Sequence, residues 1–161
     1  MAVREATEAD ADVVAAFLEQ HGSAVVARHG ELLDATGRPA LLVEDGGRLV
    51  GLLTYVVSGL DCEVLTLHAD PPRGGIGTAL VEAVASVAAS LGCDRLWLIT
   101  TNDNVDALRF YQRRGFRLVA LHPGAVDRSR RELKPQISEV ADNGIPIRDE
   151  LDLERSLSQR S

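Results

Sequence analysis

The segment from Arg73 to Thr78, with glycines at positions 74, 75 and 77, constrains the fold of this chain more than any other stretch. It follows an apolar run typical of a β-strand and precedes an amphipathic helical pattern. Glycines let backbone N–H groups close on one point, and the N-terminus of the following helix carries partial positive charge. Such a turn is suited to hold a pyrophosphate. An ordinary glycine-rich turn is the alternative interpretation.

The N-terminal residues predict a short strand over residues 3–6 and a first helix over residues 8–20. Thr7 is a suitable helix cap, and acidic residues follow it in the first turn. The apolar side chains of Val13, Val14, Phe17 and Leu18 share one face at helical spacing. A second short helix is predicted over residues 23–28. The polar stretch 29–39 is predicted to be a loop that faces a substrate.

Two β-rich runs, residues 40–44 and 49–58, flank the sequence Asp45-Gly46-Gly47-Arg48, which is typical of a tight hairpin turn. A third antiparallel strand is predicted over residues 62–69, at a central position because its residues form an apolar run. The helix after Gly77 ends at Gly92. Its predicted apolar stripe consists of Leu80, Val84, Val87 and Leu91.

The rest of the chain predicts a strand over residues 95–100 that is parallel to the third strand, because a crossover helix joins the two. A helix capped by Asp103 or Asn104, a strand over 116–122 and a helix over 125–133 follow. A last strand within 147–157 is predicted to pair with the strand 116–122, and a helix over 150–157 is the alternative. We therefore predict one α/β domain over residues 1–161, with residues 123–161 as a C-terminal helix-loop-strand extension. Its sheet is mixed and mostly antiparallel, with about seven strands, a parallel central pair and flanking helices.

Composition excludes several classes of function. A chain of 161 residues, 45% of them apolar, can bury one sizeable core. The net charge of −7 argues against a nucleic-acid-binding protein, because such proteins need clustered Lys and Arg. No signal segment or membrane span is apparent, so we expect a cytoplasmic protein without a membrane partner. The two cysteines are too few for a disulfide framework.

A second informative segment reads Asn104-x-x-Ala107-x-x-Phe110-Tyr111-x-x-x-Gly115-Phe116. Together with the glycine segment it resembles the GNAT family of acetyl-CoA-dependent N-acetyltransferases. The resemblance covers residues 62–116, roughly a third of the chain. The glycine loop of the family is usually R/Q-x-x-G-x-G, and here Pro72 occupies the Arg or Gln position while Arg73 is displaced by one.

The resemblance implies that acetyl-CoA is a co-substrate and that the acceptor is an amine of a small molecule or a peptide. The glycine loop would bind the pyrophosphate, the backbone of the matching strand would hold the pantetheine arm, and Asn104 and Tyr111 would face the thioester end. The predicted cofactor-binding residues are Leu65, Thr66, Leu67, Arg73, Gly74, Gly75, Ile76, Gly77, Thr78 and Asn104.

Tyr111 is the candidate catalytic acid. A phenol with a pKa of about 10 stays protonated at neutral pH and can protonate a thiolate whose conjugate acid has a pKa of about 8.5. The alternative is a core tyrosine packed beside Phe110.

Glu63 is the candidate catalytic base, because it is the only acid within strand 62–69 and a carboxylate can deprotonate a substrate amine directly or through water. The alternatives are an outward-facing strand residue and a route through ordered water without a dedicated base.

Other classes of protein fit the sequence less well. His21, His29, His68 and His122 show no H-x-x-x-H or Cys/His spacing, so we expect no metal site. A Rossmann nucleotide site needs a third glycine and a βαβ unit, which are missing here. A non-catalytic acyl-CoA-binding sensor or interaction module on the same fold is the competing hypothesis. A homodimer formed through the C-terminal strand is compatible with the sequence.

Overall fold

The computed structural model describes residues 2–72 and 74–157. Within these ranges there are nine strands and four α-helices. The strands are β1 (Val3–Glu5), β2 (Val25–Arg28), β3 (Glu31–Asp34), β4 (Ala40–Asp45), β5 (Arg48–Ser58), β6 (Asp61–Ala69), β7 (Arg95–Thr101), β8 (Arg117–His122) and β9 (Glu150–Ser156). The helices are α1 (Ala11–Gln20), α2 (Ile76–Ser90), α3 (Val105–Gln112) and α4 (Ala125–Glu132). No helix of the described chain is both long enough and apolar enough to cross a bilayer.

Seven strands form one sheet in the order β1-β4-β5-β6-β7-β9-β8, and β2 pairs with β3 in a separate ribbon. The pairs β1–β4, β4–β5, β5–β6 and β8–β9 are antiparallel. Strands β6 and β7 are parallel, and α2 supplies the crossover that a parallel connection requires. The predicted mixed, mostly antiparallel sheet with a parallel central pair is confirmed.

The chain contains two compact units. The first comprises the described parts of Met1–Val26, Asp34–Leu96 and Ser156–Ser161. The second comprises Ala27–Leu33 and Trp97–Arg155.

In the first unit, helices cover both faces of the sheet. Successive strand residues point to opposite faces. The paired Leu42 and Leu52 join the core cluster that α1 completes with Val14, Phe17 and Leu18. Packing against α1 therefore explains the apolar residues on one of the two faces of β4 and β5.

The opposite face of the same strands contacts α2. Val43 and Gly51 are paired across β4 and β5, and both lie beside the start of that helix. A Cβ atom at Gly51 would come within 2.5 Å of Ile76 Cγ2 and 3.2 Å of Leu80 Cδ1. Glycine therefore lets α2 approach β5 more closely than any other residue would.

In the second unit, β8 and β9 form an antiparallel pair in which His122 lies opposite Glu150 and Ala120 lies opposite Asp152. Leu153 of β9 is fully buried, and Val126 of α4 is nearly so. This register places His122, Glu150 and Asp152 on one face of the two strands.

Residues 25–34 form a β-hairpin, so the predicted second helix over 23–28 is wrong and the predicted loop over 29–39 is wrong in part. His29 and Gly30 join β2 to β3 with φ values of 48° and 76°. Two successive positive φ values define the turn that best matches the twist of a hairpin. The β-branched Val25 and Val26 favour the extended conformation that continues into this turn.

Two of the predicted buried faces need correction. Val14, Phe17 and Leu18 are the buried residues of α1, and they follow the i, i+3, i+4 spacing of one helix face. Val13 lies outside that face and is 53% exposed. Leu91 is 59% exposed, since it caps the C-terminus of α2 beyond the packed turns. The predicted first helix also begins with a 3-10 turn, Glu8–Asp10, before α1.

Candidate active site

The turn from β6 into α2 contains the predicted pyrophosphate-binding segment. Gly74 and Gly75 have φ values of 97° and 81°, a conformation that favours glycine. Among the described residues no side chain caps α2, and its first turn carries no acidic residue. A helix start without these groups offers backbone N–H donors and partial positive charge to an anion. Arg73 lies outside the described residues, so its role stays a prediction.

The predicted pantetheine-binding strand carries a β-bulge. Thr54 pairs with Thr66 and Tyr55 with Val64, so Leu65 is the extra residue of β6. The hydroxyl groups of Thr54 and Thr66 share a buried hydrogen bond of 2.6 Å. Bulges of this kind bend a strand and are frequent beside active sites. The cofactor contacts predicted for Leu65, Thr66 and Leu67 stay predictions.

Glu63 is buried, with only 4% of its surface exposed, and it lies opposite Val56 of β5. It is therefore not a solvated residue at the edge of the strand. A buried carboxylate requires polar or charged neighbours, and a buried position also shields it from bulk water. The proposed role of Glu63 as a base depends on where the acceptor amine binds and stays a prediction.

Tyr111 lies near the end of α3 with 8% of its surface exposed. Its ring contacts Phe110 edge-on at 5.1 Å between centroids and Phe116 at 5.3 Å. Burial raises the pKa of the phenol, so the hydroxyl is protonated at neutral pH, as a catalytic acid must be. A purely structural tyrosine would pack in the same way, so the assignment stays a prediction.

Asn104 is the one of the two predicted caps that the structure shows at the start of α3. It is the N-cap of α3, and its Oδ1 accepts a hydrogen bond of 3.1 Å from the backbone N–H of Ala107. This explains the Asn-x-x-Ala spacing as a helix start. A contact of Asn104 with the cofactor stays a prediction, and its side chain would need to serve both purposes.

One histidine cluster belongs to the first unit. His68 of β6 lies 4.6 Å from the ring of His21 between centroids, and its Nε2 is 2.8 Å from the hydroxyl of Ser23. Burial, and to a smaller degree His21, lowers the pKa of His68 to about 4. His68 is therefore neutral at physiological pH.

A second cluster belongs to the second unit and was not predicted from the sequence. His29 Nε2 lies 3.0 Å from Asp152 Oδ1, and His122 Nε2 lies 3.1 Å from Asp152 Oδ2. The cluster borders a pocket of about 340 Å³ that Arg128 and Glu150 also line. His29 and Asp152 are 123 positions apart, so no local spacing could reveal the cluster. The lack of metal-binding spacing among the histidines, from which we expected no metal site, therefore does not apply to this cluster.

Residues 6–116 match the family model described as acetyltransferase (GNAT) family. The chain belongs to the GNAT acetyltransferase family. The resemblance inferred from the glycine segment and the Asn104–Phe116 segment is thereby confirmed, and the protein is an acyltransferase of the GNAT type.

Two similar proteins come from Bacillus subtilis. The uncharacterized protein YdhI is 50% identical over 109 residues, which cover 68% of each chain. The uncharacterized protein YxbD is 40% identical over 152 residues, covering 91% of this chain and 92% of YxbD. A mycothiol acetyltransferase from Clavibacter michiganensis is 39% identical over 88 residues, covering 52% of this chain and 29% of that enzyme.

Solved GNAT structures share the fold. A Bacillus subtilis acetyltransferase in complex with CoA superimposes with a TM-score of 0.69 at 18% identity, covering 97% of this chain and 98% of that one. The putative acetyltransferase YncA from Salmonella typhimurium, with acetyl-CoA bound, has a TM-score of 0.68 at 18% identity, covering 100% and 96%. At this level of identity the likeness concerns the GNAT fold alone.

Proposed function

We propose that the protein transfers the acetyl group of acetyl-CoA directly to a primary amine of a small molecule or a peptide, in a ternary complex. The observation that carries this proposal is the start of α2. There two glycines with positive φ lead into a helix that lacks a side-chain cap and acidic residues in its first turn. Membership of the GNAT family supports the same cofactor, since structural relatives bind CoA or acetyl-CoA.

The cofactor is held mainly by backbone groups in this proposal. Amides of residues 74–78 bind the pyrophosphate at the start of α2, where the partial charge of the helix favours an anion. The backbone of Leu65, Thr66 and Leu67 holds the pantetheine arm. The overall charge of the protein is negative, so this local positive potential is what attracts the phosphates.

Direct transfer is favoured over a covalent acetyl-cysteine intermediate by the state of the two cysteines. Both are buried in the described structure. Burial raises the pKa of Cys62 to about 12 and also raises the pKa of Cys93. The thiolate is the nucleophilic form of cysteine, and it is essentially absent from both residues at neutral pH.

In the proposed reaction the amine gives up a proton, with Glu63 as acceptor directly or through water. The neutral amine nitrogen attacks the thioester carbonyl, the C–S bond breaks, and the thiolate of coenzyme A takes a proton from the Tyr111 hydroxyl. The phenolate that results takes the remaining extra proton from the nitrogen of the product, which restores Tyr111 and leaves the neutral amide. Burial raises the pKa of Tyr111, so the phenol holds its proton at neutral pH, and the same shift makes it a weaker donor than a solvated tyrosine.

The acceptor and the order of binding are tested together. A library of amines is incubated with acetyl-CoA, and the release of free thiol identifies acceptors. For an acceptor so found, initial rates are measured over a matrix of both substrate concentrations. A ternary complex predicts intersecting double-reciprocal lines. Parallel lines would show a covalent intermediate and would refute direct transfer.

The role of Tyr111 is tested by Tyr111→Phe, with Tyr55→Phe as the matched control, since Tyr55 is the other tyrosine of the chain and is also buried. Loss of a general acid predicts a fall in kcat of about 100-fold, with the affinity for acetyl-CoA unchanged in calorimetry. Tyr55→Phe should keep its turnover. Unchanged turnover in Tyr111→Phe would remove Tyr111 as the acid.

The remaining predictions from the sequence concern the organisation and setting of the protein. We keep the interpretation of residues 1–161 as one functional domain, with a C-terminal extension from residue 123. A cytoplasmic location, a possible homodimer and the absence of nucleic-acid and membrane partners also remain predictions. Gel filtration with light scattering tests the homodimer directly.

A further inference from the structure

We propose that His29, His122 and Asp152 form a binding site for a divalent transition-metal ion of the zinc class. One ligand atom from each residue, an imidazole nitrogen or a carboxylate oxygen, lies within 4.8 Å of the others. Two imidazoles and one carboxylate are a common ligand set for such metals. The site is independent of the proposed acetyl transfer.

The fold assembles the cluster from three distant segments. The register of β8 and β9 places His122 opposite Glu150, and Asp152 follows two residues further along the same face. His29 enters from the turn of the β2–β3 hairpin. A metal ion would therefore connect the hairpin to the paired strands within the second unit.

His29 is held in a conformation that few residues adopt. Its φ of 48° is the only positive value at a non-glycine position in the described chain. The carboxylate of Glu150 accepts a hydrogen bond of 3.1 Å from the backbone N–H of His29, and the His29 ring lies 5.6 Å from Trp97 between centroids. Unusual backbone geometry that neighbouring groups maintain is frequent at binding sites.

The strongest indication comes from His122. Its Nε2 is buried and makes no hydrogen bond within the described residues, although Asp152 Oδ2 lies only 3.1 Å away. The geometry does not suit an N–H donor pointing at that oxygen. A metal ion bound by the lone pairs of both atoms would satisfy them without the angular requirement of a hydrogen bond.

The cluster leaves room for a further ligand. The adjoining pocket of about 340 Å³ is lined by His29, His122 and Glu150, together with Arg128 and Ser129 of α4. Metal sites with three protein ligands keep an open position for water or an anionic group. Arg128 at the pocket wall would favour an anionic group in that position.

The test uses the full-length chain after metal removal with a chelator. Zn²⁺ binding is measured by calorimetry, and Co²⁺ serves as a spectroscopic probe through its visible absorption. We expect one equivalent of each ion to bind. His122→Ala and Asp152→Asn should each weaken Zn²⁺ binding by at least about 100-fold. Glu150→Ala should weaken it by about 10-fold, because it removes only the acceptor that anchors the backbone N–H of His29.

His68→Gln is the matched control, because it removes a histidine from the other cluster, and it should bind Zn²⁺ like the wild type. Circular dichroism verifies that each variant is folded. X-ray absorption of the Zn²⁺-loaded wild type should show two imidazoles and oxygen ligands, which tests the site without any substitution. Absence of metal binding by the wild type, or binding that only His68→Gln abolishes, would overturn the proposal in favour of a metal-free hydrogen-bonded cluster.

Discussion

Replacing Gly51 by alanine measures how closely β5 packs against α2. The new Cβ atom would lie 2.5 Å from Ile76 Cγ2, whereas ordinary contacts begin at 3.4 Å, so the two must separate by 0.9 Å (3.4 − 2.5). Adding a methyl group to a packed core costs about 1–3 kcal/mol. Alanine also lowers the conformational entropy of the unfolded chain, which raises the free energy of unfolding by about 0.4–1 kcal/mol.

We therefore expect Gly51→Ala to lower the free energy of unfolding by about 1–2 kcal/mol. For a chain of this size the melting temperature should fall by about 2–8 °C. Urea unfolding followed by circular dichroism measures the free energy, and calorimetry measures the melting temperature. Because Ile76 is the first residue of α2, its displacement should also weaken coenzyme A binding at the proposed pyrophosphate segment.

A double-mutant cycle isolates the contact. Ile76→Leu removes the Cγ2 methyl group and nearly conserves the volume of the side chain. If the steric contact is the cause, the double variant should be more stable than the sum of the single effects predicts, by on the order of 1 kcal/mol. A Gly51→Ala variant as stable as the wild type, or strictly additive effects, would refute the packing argument.

Two further predictions concern Asn104 and His68. Asn104→Ala should lower the free energy of unfolding by about 1 kcal/mol, because α3 loses its cap, whereas Asn104→Asp should keep it; equal stability of the two variants in urea unfolding would contradict the capping role. Burial lowers the pKa of His68 to about 4 from its usual value near 6.5, so between these values the unfolded chain binds a proton that the folded chain does not. The free energy of unfolding therefore keeps the full contribution of His68 above pH 6.5. It falls toward pH 4, by at most about 3 kcal/mol. His68→Gln should show a shallower loss over this pH range, and an unchanged slope would show that other groups cause it.

Local signals accounted for much of the fold. The turn between β4 and β5 needs positive φ at two positions, and Gly46 and Gly47 supply it. The cap of α3 and the glycine entrance to α2 were predictable for the same reason, since each depends on the backbone preferences of a few adjacent residues. The hairpin at His29 was not predicted because its turn contains a single glycine, and a positive φ at a non-glycine residue is uncommon.

Sequence alone determined the order of the elements, the family and the candidate roles of Tyr111 and the glycine segment. Periodicity, capping and motif spacing are local signals that depend only on residues close together in the chain. Only the tertiary structure decided that Glu63 is buried, that Val13 and Leu91 are exposed, and that His29, His122 and Asp152 meet. Those properties depend on which distant segments pack together, and strand register and close helix packing arise only when the whole chain has folded.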